Sequence, residues 1–241
     1  MQRRNLVLAT LALLGAPLLL RPARAAALPG EVAGVALPAG ALARGAAALA
    51  RAQCPEFLFN HCMRTFLFGA RQLQRKKLAY RAEDAFVAAA LHDLGLLPQF
   101  ETPAGSFELD GADAAEHWAR DHGAARGAAD RIWHAVEMHD GAFALTERQG
   151  AEAQLVALGA GTDVYGPAAA RFAAGQVQEV LAAFPRLNFK QEFTSLLVAH
   201  CARKPASQRA TWLEGTCRAH AAASPSDDAV AQHIAAAGFA E

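Results

Sequence analysis

The sequence Leu91-His92-Asp93-Leu94-Gly95 places an imidazole beside a carboxylate at the end of an apolar helical stretch. Both side chains can bind a divalent cation. Because neighbouring helical side chains diverge by about 100°, His92 and Asp93 can reach one ion together only near a helix end, and other helices must supply the remaining ligands. The glycine allows the backbone to turn sharply at this point. We therefore predict a metal site where this helix ends.

Three further segments carry side chains of the same kind. Asn60-His61-Cys62-Met63-Arg64 comes before this motif, and Met138-His139 and Thr162-Asp163 come after it. Apolar residues at helical spacing surround His61 and His139, so both imidazoles are predicted to point inward. A single histidine on an apolar helix face is usually a hydrogen-bonded core residue, so the prediction depends on the whole set.

The order of these residues, His, then His-Asp, then Asp, resembles the HD-domain superfamily of metal-dependent hydrolases, and within it the cyanamide-hydratase-like branch. The two specific segments are Asn60-His61-x-x-Arg64 and Leu91-His92-Asp93-Leu94-Gly95. Weaker segments follow in family order: Phe107-Glu108-Leu109-Asp110-Gly111-Ala112, Met138-His139, Leu158-Gly159 before Asp163, and Lys204-Pro205. The resemblance implies an all-α fold, a single HD-domain-like helical bundle with a metal site between its helices.

The resemblance also implies a set of four metal ligands, which are His61, His92, Asp93 and Asp163. Two imidazoles and two carboxylates form a mixed nitrogen and oxygen site. We expect one divalent metal ion there, zinc first, with iron or manganese as alternatives. Superfamily members with two ions often carry a histidine just before the Gly-Ala that opens the third helix. Phe107-Glu108 stands in that neighbourhood here, which favours a single ion.

By the same resemblance, His139 is a catalytic residue on the substrate side of the ion, as a proton donor or a hydrogen-bond donor. The family usually has threonine after this histidine, whereas this chain has Asp140. We assign Asp140 and Glu108 as substrate-binding residues. Arg64, one turn after His61, is the second candidate catalytic residue. It could orient a ligand carboxylate, bind an anion or form an ordinary salt bridge.

Three functions remain open for such a chain. The first is a metal-dependent hydrolase or hydratase, in which metal-bound hydroxide attacks a small nitrile-like (cyanamide-like) or amide substrate, a substrate class supplied by the resemblance. The second is an HD-type phosphohydrolase acting on a phosphate ester or nucleotide. That reaction needs cationic groups around the phosphoryl, and the candidates are Arg64, Arg71 and Lys76. The third is a non-catalytic periplasmic metal-binding helical protein.

The first 25 residues are typical of a signal peptide. Arg3-Arg4 precedes an uncharged apolar run from Leu6 to Leu20, and Ala23-Arg24-Ala25 is an A-x-A cleavage site. Twin-arginine export and ordinary secretion are both open, and each predicts an exported, periplasmic protein. The apolar run is shorter than the roughly 20 residues that span a bilayer, so no stable membrane anchor is expected after cleavage.

Composition limits the partners of the protein. The 241 residues contain 23 Lys+Arg and 23 Asp+Glu. Cleavage would remove four arginines and leave a net charge of about −4, which disfavours nonspecific nucleic-acid binding. We expect a small-molecule substrate and consider a homodimer. Abundant alanine, with little isoleucine or tyrosine, favours helices over strands.

We divide the remaining chain into an extended leader (26–41), an HD-type helical domain (42–222) and a C-terminal tail with a short helix (223–241). Periodicity and capping residues predict helices from Pro55 past Ala70 and at about 82–93, 110–122, 126–139, 152–158, 174–183, 189–203 and 207–222. We expect Asp110 to cap its helix. We also expect Gly159-Ala160-Gly161 to break a helix just before Asp163.

The four cysteines stand at positions 54, 62, 201 and 217. None forms a C-x-x-C pair, so a structural zinc knuckle is not expected. In an oxidising compartment Cys201 and Cys217 could form a disulfide, and small buried thiols are the alternative.

Overall fold

The computed structural model describes residues 27–141, 143–166, 171–173, 175–204, 207–208, 211–221, 232 and 234–239. The predicted signal peptide, Pro205 and much of the predicted C-terminal tail lie outside the described residues. Within these ranges, no helix combines the length and the apolar character needed to cross a membrane.

The described chain is predominantly helical, which confirms the predicted all-α class. The α-helices are α1 (Ala41–Gln53), α2 (Glu56–Lys76), α3 (Ala82–Leu91), α4 (Phe107–Asp121), α5 (Arg126–Glu137), α6 (Phe143–Gln149), α7 (Ala151–Tyr165), α8 (Gln176–Ala183), α9 (Phe189–Arg203) and α10 (Glu214–Ala221). Two 3₁₀ turns, Leu94–Leu96 and Pro98–Phe100, connect α3 to α4.

A short antiparallel hairpin precedes α1, in contrast to the predicted extended leader. Strand β1 (Glu31–Val32) pairs with β2 (Val35–Ala36). The two turn residues, Ala33 and Gly34, both have positive φ, as a two-residue hairpin turn of type I′ requires. Val35 is buried, so the hairpin packs onto the helical domain.

Helix α2 lies at the centre of the bundle and is buried along most of its length. It begins after Pro55, whose fixed φ suits the start of a helix. It ends at Lys77, whose left-handed backbone stops the helix. Because α3, α7 and α9 pack around α2, polar side chains on this helix lie inside the protein.

Helix α7 crosses α2 closely and runs through Gly159 without interruption, so the predicted break before Asp163 is wrong. A Cβ atom at Gly159 would clash with the carbonyl oxygen of Thr65, and one at Gly69 would clash with that of Leu155. Packing against α2 therefore outweighs the low helix propensity of glycine. The consequence is that Asp163 faces α2 from within a helix.

The start of α4 also differs from the prediction. Ser106 caps the helix, with its Oγ accepting from the backbone N–H of Leu109 at 3.3 Å. Asp110 lies one turn later, where its carboxylate accepts from Thr102 and from Nζ of Lys204. Asp110 thus ties the preceding loop and the end of α9 to α4.

A disulfide joins Cys201 in α9 to Cys217 in α10, which resolves the two alternatives in favour of the pair. The helix predicted from Ser207 begins only at Glu214. Trp212 and Leu213 form part of the turn before it, and Leu213 is fully buried.

The close crossing of α2 and α7 makes a stability prediction. Gly159→Ala should lower the free energy of unfolding by about 1–3 kcal/mol, the usual cost of overpacking. Gly161→Ala is the matched control in the same helix, because nothing lies within 4 Å of its added Cβ. That variant should be neutral or gain up to about 1 kcal/mol. Urea unfolding of both measures the difference, and equal stabilities would contradict the predicted clash.

Candidate metal centre

Three buried side chains direct ligand atoms at a common point. His61 comes from α2, and His92 and Asp93 form the turn that follows α3. The Nε2 atoms of the two histidines are 3.3 Å apart. Oδ2 of Asp93 is 3.4 Å from Nε2 of His61 and 3.3 Å from Nε2 of His92. The three atoms therefore form a nearly equilateral triangle, and they could hold one metal ion.

Hydrogen bonds on the far side of each ring leave lone pairs facing this point. Nδ1 of His61 lies 2.7 Å from Oδ2 of Asp163, and Nδ1 of His92 lies 2.9 Å from the carbonyl oxygen of Ala89. Both partners are acceptors, so each neutral ring donates through Nδ1 and carries its lone pair on Nε2. Oδ2 of Asp93 is buried without a hydrogen-bond donor among the described residues.

The donor set and its spacing fit a divalent ion such as zinc. Nitrogen and oxygen atoms bound about 2.0–2.1 Å from a tetrahedral zinc ion lie about 3.3–3.4 Å from one another. Three buried acceptor atoms at that spacing repel one another, and a cation between them removes the repulsion. The side-chain types and their geometry fit a divalent ion such as zinc, iron or manganese.

Burial shifts the pKa values of His92 and Asp93, two of the candidate metal ligands. Burial, together with the neighbouring His139 and His61, holds the pKa of His92 well below its ordinary value, which keeps the ring neutral. Burial raises the pKa of Asp93 in the metal-free protein, and His61 and His139 oppose that rise. A cation bound to the carboxylate would favour its ionised form.

Asp163 is placed differently from the prediction that it binds the ion. Its Oδ1 accepts from Nε of Arg64 at 2.8 Å, and its Oδ2 accepts from Nη2 of Arg64 at 2.8 Å and from His61. Burial would raise the pKa of Asp163, but Arg64 and His61 hold it well below its usual range. Asp163 thus lies behind His61 and orients its ring, a common arrangement around metal-binding histidines.

Arg64 forms a salt bridge with Asp163, which is one of the alternatives considered for this residue. Its guanidinium is not among the residues that line the cavity beside the candidate ligands. It is fully buried, and its Nη1 also donates to the carbonyl oxygens of Phe184 and Pro185 at 3.1 Å. Arg186, in the segment after α8, donates through Nη1 to Oδ1 of Asp163 at 3.0 Å. Sequence reasoning missed Arg186 because it stands alone in a connecting segment and belongs to no motif.

His139 lies beside the three ligands without belonging to their triangle. Its Nε2 is 3.7 Å from Oδ1 of Asp93 and donates to Oδ2 of Asp140 at 2.8 Å, while Nδ1 donates to the carbonyl oxygen of Val136. Burial lowers the pKa of His139, but Asp140 outweighs it and raises the value to about 10 in the metal-free protein. His139 is therefore held as a proton donor next to the candidate site.

Glu108 lies close by but does not line the cavity. Its Oε1 accepts from Nε1 of Trp212 at 3.1 Å, and its Oε2 is buried without a partner in the described part of the chain. Burial and the nearby Asp140 raise its pKa. Glu108 is therefore joined to the cavity through Trp212, a residue that no sequence motif indicated.

A narrow cavity opens on the candidate ligands and has space for about one water molecule. The residues around it are His61, His92, Asp93, His139, Asp140, Ala160, Gly161, Val164, Tyr165, Phe193 and Trp212. Among these described lining residues there is no lysine or arginine. The cavity therefore suits a small ligand with no large negative charge.

Comparison with known proteins leaves the family open. No protein-family model matches the chain, and no curated protein matches it. Membership of the HD-domain superfamily therefore stays a prediction that depends on the motifs quoted above.

The geometry makes different predictions for the ligands and for Asp163. Wild-type protein should bind about one equivalent of zinc, and His92→Ala or Asp93→Ala should lose most of it. Asp163→Asn should weaken binding by about 10- to 100-fold, as expected for a residue that orients a ligand. Competition with a chromophoric chelator measures each affinity, with the exposed His117→Ala as control. If Asp163→Asn matched His92→Ala, Asp163 would be a direct ligand.

Asp140 should control the protonation of His139 in the metal-free protein. In Asp140→Asn, the pKa of His139 should fall from about 10 towards 6.5, which an NMR titration of the imidazole measures. Because the folded value is the higher one, the ion pair stabilises the fold below about pH 6.5, and this contribution disappears as pH rises through about 10. A difference in stability between the two proteins that persisted above pH 10 would contradict this assignment.

Proposed function

We propose that the protein is a metal-dependent hydratase or hydrolase acting on a small neutral nitrile-like or amide substrate. The observation that carries this proposal is the triangle of buried acceptor atoms from His61, His92 and Asp93, with spacings of 3.3–3.4 Å. It opens onto a cavity that also contains His139. A ligand set, a small cavity and a proton donor are the parts that such a reaction needs.

The candidate ligands would hold one divalent ion, with zinc, iron or manganese as the options. When bound, such an ion acts as a Lewis acid that makes water a nucleophile near neutral pH. Asp163 fixes the ring of His61 through the hydrogen bond at Nδ1, and the ring also stacks on Phe189 with 4.9 Å between the two ring centroids. The carbonyl oxygen of Ala89 fixes the ring of His92. Neither imidazole then needs to reorient.

His139 would supply the proton that the substrate nitrogen gains. Addition of water to a nitrile converts a C≡N carbon into an amide, and the nitrogen must be protonated as the C–O bond forms. Asp140 holds the N–H of His139 at 2.8 Å, and the same carboxylate can accept the proton that water loses. This first step gives the imidic acid. The proton on Asp140 then returns to His139, which restores both residues, and transfer of the remaining O–H proton to nitrogen gives the amide.

The second candidate, phosphate-ester hydrolysis, is less well supported by the charges around the cavity. Phosphoryl transfer needs cationic groups near the phosphoryl oxygens. Arg64 and Arg186 are both committed to Asp163. The described lining residues offer no other guanidinium or ammonium group, and the space suits a ligand much smaller than a nucleotide. A purely metal-binding protein remains the third candidate, and turnover distinguishes it from the first.

We also propose that the protein works outside the cytoplasm, as the sequence of residues 1–25 predicts. The Cys201–Cys217 disulfide supports this proposal, because such bonds persist mainly in oxidising compartments.

The decisive test concerns His139. His139→Ala should keep its metal and its fold but lose roughly 10²–10⁴-fold in kcat, the usual contribution of a positioned acid or base. Metal content, melting temperature and turnover should be measured on one preparation, with cyanamide, simple nitriles, amides and phosphate esters as substrates. His117→Ala, an exposed histidine on α4, is the matched control.

Two outcomes would contradict the proposal. Normal kcat together with a lowered melting temperature would make His139 a core residue without a catalytic role. Turnover of phosphate esters alone would favour the second candidate function.

A further inference from the structure

Trp212 is a large aromatic lining residue of the cavity and lies in the turn before α10. Its Nε1 donates to Oε1 of Glu108 at 3.1 Å. Its ring meets the edge of Phe107, with 6.3 Å between centroids. Since the cavity holds only about one water molecule, the indole limits how far a ligand can extend from the metal ligands.

The position of Trp212 is restrained on both sides along the chain. Leu213, the next residue, is fully buried, and α10 begins directly after it. One turn into α10, Cys217 is joined to Cys201 of α9 by the disulfide. On the other side, Gln208 is buried beside His200, with 3.1 Å between its Nε2 and Nε2 of the histidine. Trp212 therefore belongs to a segment that the disulfide joins covalently to α9.

We propose that Trp212 is the specificity-determining residue of the metal cavity. In this role it excludes ligands as large as a five-membered ring, and the Cys201–Cys217 disulfide is the restraint that holds it in place. The inference deepens the proposed function and rests on the same metal site. It identifies the substrate class by size, namely short linear or triangular molecules, and gives the disulfide a positioning role in addition to its effect on stability.

The size limit can be measured without any catalytic turnover. Full-length protein loaded with Co²⁺ has a visible spectrum that changes when an external ligand binds the ion. Azide, a linear triatomic anion, should bind the wild-type protein, whereas imidazole should bind weakly. Trp212→Leu should tighten imidazole binding by about 10- to 200-fold, the scale on which an apolar wall discriminates by size. Azide affinity should stay close to that of the wild type.

Two further variants make the test specific. Trp133→Leu removes a tryptophan of α5 whose Nε1 donates to Asp113, away from the cavity, and it should leave imidazole binding unchanged. Trp212→Phe keeps an aromatic ring but removes part of the indole and the bond to Glu108. It should give a smaller gain, and it serves as the test if the leucine variant does not fold.

The role of the disulfide has its own test. The double variant Cys201→Ser/Cys217→Ser should also tighten imidazole binding, by less than Trp212→Leu, while it retains cobalt. Unchanged imidazole affinity in a folded double variant would overturn the positioning role of the disulfide.

The size limit itself also has outcomes that would overturn it. Equal imidazole affinities in wild-type and Trp212→Leu protein, or the same gain in Trp133→Leu, would do so. A wild-type protein that binds azide and excludes imidazole but hydrates no nitrile would overturn the proposed function alone and leave this inference standing.

Discussion

The close crossing of α2 and α7 is the constraint on which the rest of the structure depends. The helices approach so closely at Gly69 and Gly159 that neither position has room for a Cβ atom. His61 and Asp163 lie on these two helices, and the same approach brings their side chains to within 2.7 Å of each other. A wider crossing would remove the carboxylate that fixes the ring of His61. The orientation of one candidate metal-binding imidazole therefore depends on glycine at positions 69 and 159.

Buried charge is balanced in two separate groups. Asp163 is neutralised by Arg64 and Arg186, and all three are almost completely buried. Asp93 faces the imidazoles of His61 and His92 and has Nε2 of His139 at 3.7 Å from its Oδ1. The arginines thus contact the carboxylate behind the candidate ligands, whereas the described lining of the cavity combines acceptor atoms with donors that include His139 and Trp212. This division explains why the described lining of the cavity contains no arginine although Arg64 and Arg186 are both buried nearby.

The sequence predicted the helical class and the convergence of three side chains that could hold a metal ion, because helical periodicity and helix ends determine which way His61, His92 and Asp93 point. It failed where distant segments compete for one group. The residue type of Asp163 suggested a metal ligand, but an arginine from a connecting segment, Arg186, and Arg64 already occupy its oxygens. Glycine propensity suggested a break in α7, whereas packing against α2 keeps the helix intact. Trp212 reached the cavity through a tertiary contact that no local pattern encodes.

The arginine pair behind His61 has a consequence for how the protein matures. In small zinc domains the ion supplies the charge and cross-linking that the fold lacks, so binding and folding are one event. Here the chain supplies its own cations to the most buried carboxylate, and a continuous apolar core surrounds α2. Among the described residues, Oδ2 of Asp93 and Oε2 of Glu108 are the buried carboxylate oxygens without a hydrogen-bond donor. The domain would therefore not need the proposed ion in order to fold, and binding of that ion would follow folding.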